Sequence, residues 1–282
     1  MKTQDQISKE MHAIALQAST ETIKPYIAIL QPRRTFKEIP VQRLDASVNR
    51  MLDCTSMSVS FHAIDGNPVD VAENWLIQKA IDDNVKYAFF AEEDTAIPFY
   101  GLMNLLQTSD KYPDAIIVGV YYVKFGGPMM GCSDEDGRWR YLDVTPNTGV
   151  RRDIRFSGLG CALIPMSCVR KIQERFPDIP LFCVVPEGCW GDDKIRAIGN
   201  DTWFYHLAHE CGIEVIADTS VQCLHVELAT GKYAAHPDVD LDDYVTNFPI
   251  TDRLTYKDRK RVEHDYHSRI NKPEWADGCN DE

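Results

Sequence analysis

Three carboxylates in a row, Glu92, Glu93 and Asp94, follow directly on the apolar run Tyr87-Ala88-Phe89-Phe90-Ala91. The run reads as a buried strand. Charges at its end sit beside a dry core and repel one another. A divalent cation relieves both costs, because hard ions such as Mg2+ and Mn2+ prefer carboxylate oxygens. In open α/β sheets, ligands bind outside the carboxyl ends of the strands. The stretch therefore points to a metal-dependent nucleotide-binding edge, and the plainer alternative is a charged turn that ends a strand. A second candidate is Asp201, in Gly199-Asn200-Asp201-Thr202 ahead of the run WFYHLAHECG. Trp203, Phe204, Leu207, Ala208 and Cys211 share one helical face, and Gly212 suits a C-cap. Asp201 thus falls at a helix N-terminus, where the dipole favours its ionised form. The plain reading of that position is a capping aspartate. His225, within the apolar stretch 221–226, is the third candidate, either a structural histidine or a ligand.

The elements that must position these groups alternate along the chain. A strand over 26–30 ends in Gln31-Pro32-Arg33-Arg34, with Pro32 as its stop. The two arginines stand just past a strand end, facing phosphate or solvent. A helix over 40–53 carries Val41, Leu44, Val48 and Leu52 at three- and four-residue spacing. A strand over 57–64 ends at the turn cluster Asp65-Gly66-Asn67-Pro68, and a helix over 69–83 follows. The acid-tipped strand, a helix over 99–106 and a strand over 115–123 continue the series. Such alternation predicts an α/β, Rossmann-like fold with a mixed, mainly parallel sheet and helices on both faces. No GxGxxG follows the first strand and no P-loop is present, which argues against an NAD enzyme.

Residues 124–150 break the pattern and are expected to form a mobile loop or hairpin flap near the site. In IRFSGLGCALIP, Gly158 and Gly160 suggest close backbone approach to a ligand or another strand. A helix over 167–176 and strands over 181–185, 213–217 and 221–226 complete the reading. Helices are also expected over 5–20 and 252–270. Residues 1–228 are read as one catalytic domain and 229–282 as a helical tail.

With 282 residues, the chain suits one large domain with a core that needs no staples. A formal charge of −13 argues against an extended nucleic-acid-coating surface. Local basic groups, Arg151, Arg152, Arg155 and the cluster at 257–261, leave room for contact with phosphate. Nine cysteines include no CxxC pair, so a structural zinc site is not expected and a reduced cytoplasmic setting is. The N-terminus has no apolar core of signal-peptide length, and no stretch approaches the roughly 18 apolar residues of a membrane span.

The order of these signals resembles the GT-A glycosyltransferases, especially the compact family-2-like enzymes of phages and bacteria. The resemblance runs from about residue 26 to 226. It implies that Glu92, Glu93 and Asp94 stand where the family has its DxD motif, with Glu as a departure at the first position. Asn200 and Asp201 stand at the ED motif, with Asn as the departure and the base position kept. His225 matches a late histidine of the metal shell. The helix before the DxD strand carries Glu73-Asn74 where an Arg-Asn pair is common.

The implied activity is transfer of a sugar from a nucleotide-diphosphate sugar, a UDP-sugar in the first instance, to an acceptor hydroxyl with inversion. Asp201 would be the general base, and Asp94, His225 and Glu92 would hold Mn2+ or Mg2+. Gln31, Pro32, Arg33, Asp65, Glu92, Glu93, Gly158 and Gly160 would line the donor. The acceptor would be a glycan, a protein or a hydroxymethylated base of phage DNA, in the host cytoplasm for a phage-encoded enzyme. The rivals are a sugar-phosphate nucleotidyltransferase, whose glycine-rich loop QPRRTFKEIP lacks, and a non-catalytic nucleotide-sugar-binding module.

Overall fold

The computed structural model describes residues 25–33, 57–123, 127–133, 139–142, 144–185, 199–227, 231–236, 238–244 and 253–254. The helices expected over 5–20 and 40–53, most of 252–270, Arg34 and the basic cluster at 257–261 lie outside the described residues.

Short apolar runs form the centre of the molecule. The strands β1 (Ile27–Arg33), β2 (Val59–Asp65), β3 (Tyr87–Ala91), β5 (Ile116–Val120), β8 (Val150–Arg151), β10 (Cys161–Pro165) and β11 (Val215–Gln222) make one seven-stranded sheet. Their order is β2-β1-β3-β10-β5-β11-β8. β2, β1 and β3 are parallel, as are β5 and β11. β10 runs antiparallel between β3 and β5, and β8 antiparallel on the β11 edge. The sheet is thus mixed and mainly parallel.

The period of two divides the core. Ala28, Leu30, Ala88, Phe90, Ile116, Val118, Ala162 and Ile164 point to one face, with Ile27, Ile29, Tyr87, Phe89, Ile117, Cys161 and Leu163 on the other. On the first face pack α1 (Val69–Asp82), α3 (Met166–Arg175) and α4 (Asn200–Glu210). On the second packs α2 (Gly101–Lys111), through Leu102, Leu105 and Leu106. Every strand residue of β3, β5 and β10 is buried, as expected where both faces are covered.

Two small sheets extend this frame. β4 (Thr95–Ala96), β12 (Leu224–Glu227) and β13 (Lys232–Ala234) form one, with His225 opposite Thr95. β6 (Met130–Ser133), β7 (Trp139–Tyr141) and β9 (Phe156–Ser157) form the other. The second is the hairpin expected within 124–150, and β9 ties it to the main chain.

Three expectations are corrected. Pro32 does not stop β1, which continues to Arg33. β1 pairs with β3 only as far as Leu30 and beyond it with β2 alone, so one side of the strand needs no N–H donor there. Residues 181–185 are not a regular strand. The Asn74 side chain takes up the backbone of Phe182 instead, accepting its N–H at 3.2 Å and donating to its carbonyl at 2.6 Å. The expected helical tail begins as β13, and residues 241–243 make a single 3-10 turn. That turn returns to the domain, where Phe99 N–H donates to the Asp243 carbonyl and Tyr100 Oη to its carboxylate.

Candidate active site

The carboxyl ends of β1, β2, β3, β5 and β11 share one edge of the sheet, because these strands run the same way. Directly after β3, residues 92–95 make a tight turn in which Thr95 N–H donates to the Glu92 carbonyl at 3.1 Å. The turn sends its three acids into different surroundings.

Asp94 turns toward β12. Its side chain is fully buried, and its Oδ2 lies 3.2 Å from His225 Nε2. Val226 N–H donates to the Asp94 carbonyl, so the pairing of β12 with β4 fixes both groups. The other ring nitrogen, Nδ1, lies 2.9 Å from the Tyr122 carbonyl. That carbonyl can only accept, so Nδ1 carries a hydrogen. In the neutral ring Nε2 is then a lone pair, and it faces a carboxylate oxygen, also an acceptor. Two facing acceptors at this distance call for a proton or a cation between or beside them.

A backbone carbonyl on the second ring nitrogen is also the common arrangement of a metal-ligating histidine. Two donors on one octahedral ion stand roughly 3 Å apart when each is about 2.1 Å from it. The pair fits a divalent cation of the Mn2+ or Mg2+ kind on donor type and separation, and leaves most coordination positions to substrate oxygens. Among the described residues, no group of three or more His, Cys, Asp or Glu side chains is arranged to hold a metal ion. The structure therefore brings Asp94 and His225 together and does not add Glu92 to them as a third ligand.

Glu92 is only partly buried. Its charge bears on Glu73 of α1 and on Tyr121 and Tyr205, as does that of Asp201. Asp201 is the second residue of α4 and partly exposed. Its carboxylate accepts from its own N–H and from Leu159 N–H. Both bonds favour the charged form, as the helix dipole does. Burial nonetheless outweighs them and pushes Asp201 up to about 6. Gly199, not Asp201, occupies the N-cap position.

The sequence reading noted Glu73 only as a departure from the Arg-Asn pair and did not place it at the site. It is fully buried, and Asn200 Nδ2 donates to its Oε2 at 2.6 Å. Burial and the charges of Asp201 and Glu92 push its carboxyl up to about 10. Its signal lay in the stripe 73, 76, 77, 80 of α1, where Leu76, Ile77 and Ala80 are core and position 73 is an acid.

Gly158 and Gly160 are indeed places of close approach, but to side chains of this chain. A Cβ on Gly158 would lie 1.5 Å from Tyr121 Oη, and one on Gly160 would lie 2.5 Å from Thr95 Oγ1. The missing Cβ atoms make room for Tyr121 and Thr95. Tyr205 Oη donates to the Gly158 carbonyl at 3.2 Å. The Tyr121 ring packs edge-on against the His225 ring, with centroids 5.5 Å apart. Tyr121 thus stands between the Asp94–His225 pair and the acids around Asp201.

The remaining expected donor contacts line the same edge farther out. Gln31 is buried and accepts from Arg33 Nε at 2.8 Å, Pro32 is buried beside it, and Asp65 is exposed opposite Arg33. Glu93 is buried. Of the basic groups suggested for phosphate contact, Arg151 is paired with Asp153 and Arg152 with Glu214. No helix described is long and apolar enough to cross a membrane.

No family model matches the chain, and no curated protein matches it. Among solved structures it is similar to A197 from STIV, with 17% identity, 70% of this chain and 85% of that chain covered, and a TM-score of 0.44. It is also similar to residues 1–349 of S. aureus TarS, with 10% identity, 68% and 58% covered, and a TM-score of 0.41. A third similar structure is GalNAc-T7 with UDP, GalNAc and Mn2+, with 10% identity, 71% and 43% covered, and a TM-score of 0.41. TarS and GalNAc-T7 are glycosyltransferases. The chain spans about three fifths of the TarS fragment and less than half of GalNAc-T7.

Proposed function

We propose that this protein is a nucleotide-sugar-dependent glycosyltransferase acting at the carboxyl edge of its sheet. The observation that carries the reading is the Asp94–His225 pair, a buried carboxylate 3.2 Å from an imidazole whose other nitrogen is held by the Tyr122 carbonyl. Asp94 and His225 would hold a divalent cation, Mn2+ or Mg2+, which neutralises charge on a departing diphosphate. Asp201, poised at about 6, takes the proton from the attacking acceptor hydroxyl. Attack from the face opposite the diphosphate inverts the anomeric centre. The hairpin of β6 and β7 stands next to β9, close to Gly158, where it shields the donor from water.

Among acceptors, the ion pairs of Arg151 and Arg152 and the charge of −13 favour a glycan or protein hydroxyl over a modified DNA base. That only two metal-type donors meet among the described residues supports one other reading, a nucleotide-sugar-binding module without turnover. A panel of nucleotide sugars incubated with the protein and Mn2+ or Mg2+, read by mass spectrometry, separates the two. Transfer or slow hydrolysis releases nucleoside diphosphate and supports the enzyme, and it stops with chelator. Binding without release supports the module, and neither binding nor release removes both.

A further inference from the structure

Two neighbouring residues of α1, Glu73 and Asn74, reach two separate points of the chain on the way to Asp201. Asn74 holds the backbone of Phe182 from both sides. Glu73 accepts from Asn200, the first residue of α4. The helix that carries Asp201 is therefore tied at its first turn to α1, and Asp201 is the next residue. Gly199 makes no side-chain cap, and the Glu73–Asn200 bond ties the first residue of this helix to α1.

The surroundings of Glu73 are acidic throughout. Asp70 lies one turn earlier on its own helix, Asp201 is on α4, and Glu92 is on the turn after β3, with Tyr205 of α4 as a further neighbour. The charges that bear on it from the described residues are those of Asp201, Glu92 and Asp70. Its Oε1 is buried with no hydrogen-bond partner among the described residues. An ionised carboxylate buried there would be left uncompensated.

We propose that Glu73 is a positioning residue for Asp201, acting as a neutral acid that anchors Asn200 and fixes the first turn of α4. The proposal rests on the assignment of Asp201 as base only for its catalytic consequence. The anchor and the protonation state can be tested without any turnover.

The experiment compares the wild type with Glu73→Gln, Glu73→Ala and Asn200→Ala. A carboxyl whose pKa is higher folded than unfolded keeps its proton only in the folded protein between the two values. Stability then falls as pH rises through that window, here from the ordinary glutamate value of 4.5 to about 10. Glutamine keeps the shape and has no proton to lose. The urea midpoint of Glu73→Gln should therefore rise relative to wild type between pH 6 and pH 8.5. A difference that stays constant with pH would overturn the neutral acid.

Hydrogen exchange reads the anchor. Glu73→Ala and Asn200→Ala should speed exchange in the first turn of α4, with Glu73→Gln leaving it near wild type. Equal protection in all four proteins would overturn the anchor, and Asn200→Ala keeps this arm decisive should Glu73→Ala not fold. With an active donor and acceptor, Glu73→Ala should lower kcat roughly 10–100-fold with donor KM unchanged, and Glu73→Gln should restore it. If no transfer is found with any substrate, the functional reading fails, and the denaturation and exchange arms still decide the role of Glu73.

Discussion

Asp94 and Asp201 are both aspartates at one edge of one sheet, and their neighbours set them apart. Asp94 is fully buried, faces an imidazole, and is locked by the pairing of β4 with β12. Asp201 is partly exposed, and its charge, like that of Glu92, bears on Glu73 and on two buried tyrosines that cannot readily ionise. Burial lifts Asp201 to about 6, and burial together with the charges of Asp201 and Glu92 lifts Glu73 to about 10. Under the proposed function, the two carboxyls divide into a charge holder and a proton acceptor because of what surrounds them.

The largest effect expected from breaking this division is at Asp201. Asp201→Asn should lower transfer by about 10²–10⁴-fold, the usual contribution of a general base, and leave donor affinity within about twofold. An assay of transfer beside a donor titration checks it, and a fully active variant would make Asp201 a structural residue. Next comes the charge-gathering side. Asp94→Ala and His225→Ala should each weaken the response to Mn2+ by about 10–100-fold, measured as the metal concentration for half-maximal activity. If both variants keep the wild-type metal response, the two-donor assignment is wrong.

The contrast is sharpened by pH. Asp201 must be ionised to accept a proton, so kcat/KM should fall about tenfold per unit on the acid side of pH 6. A profile that stays flat down to pH 5 would separate the base from Asp201. The smallest expected effect lies between the two regions, at the space that Gly158 leaves for Tyr121. Gly158→Ala should cost about 1–3 kcal/mol in urea unfolding, because a methyl group there meets the Tyr121 hydroxyl. Adding Tyr121→Phe should recover part of that loss. Additive losses would show that the crowding is elsewhere.

Much of this was readable along the chain. β1, β3 and β5 are apolar runs buried on both faces, so their composition alone marks them. The acids after β3 and the start of α4 stand out because charge interrupts hydrophobic periodicity there. What could not be read depends on pairing at long range. The insertion of β10 between β3 and β5 reverses a strand in what alternation suggests is a parallel series. Pro32 is tolerated because the pairing of β1 with β3 ends at Leu30.

The glycines at 158 and 160 were visible as sites of close approach, but what approaches them comes from Tyr121 and Thr95, far away in sequence. Two departures from the glycosyltransferase pattern, Glu73 and Asn200, looked unrelated at 127 residues apart, and folding joins them in one hydrogen bond.

The reversed strand has a consequence for how the molecule comes together. β10 is the seam between the block of β2, β1 and β3 and the block of β5, β11 and β8. Neither block touches the other through backbone bonds until residues 161–165 are in place, so closure of the sheet waits on a segment made long after β3 and β5. A nascent chain that stops short of β10 leaves one flank of β3 and both flanks of β5 unpaired, wholly apolar strands of the kind that seed aggregation.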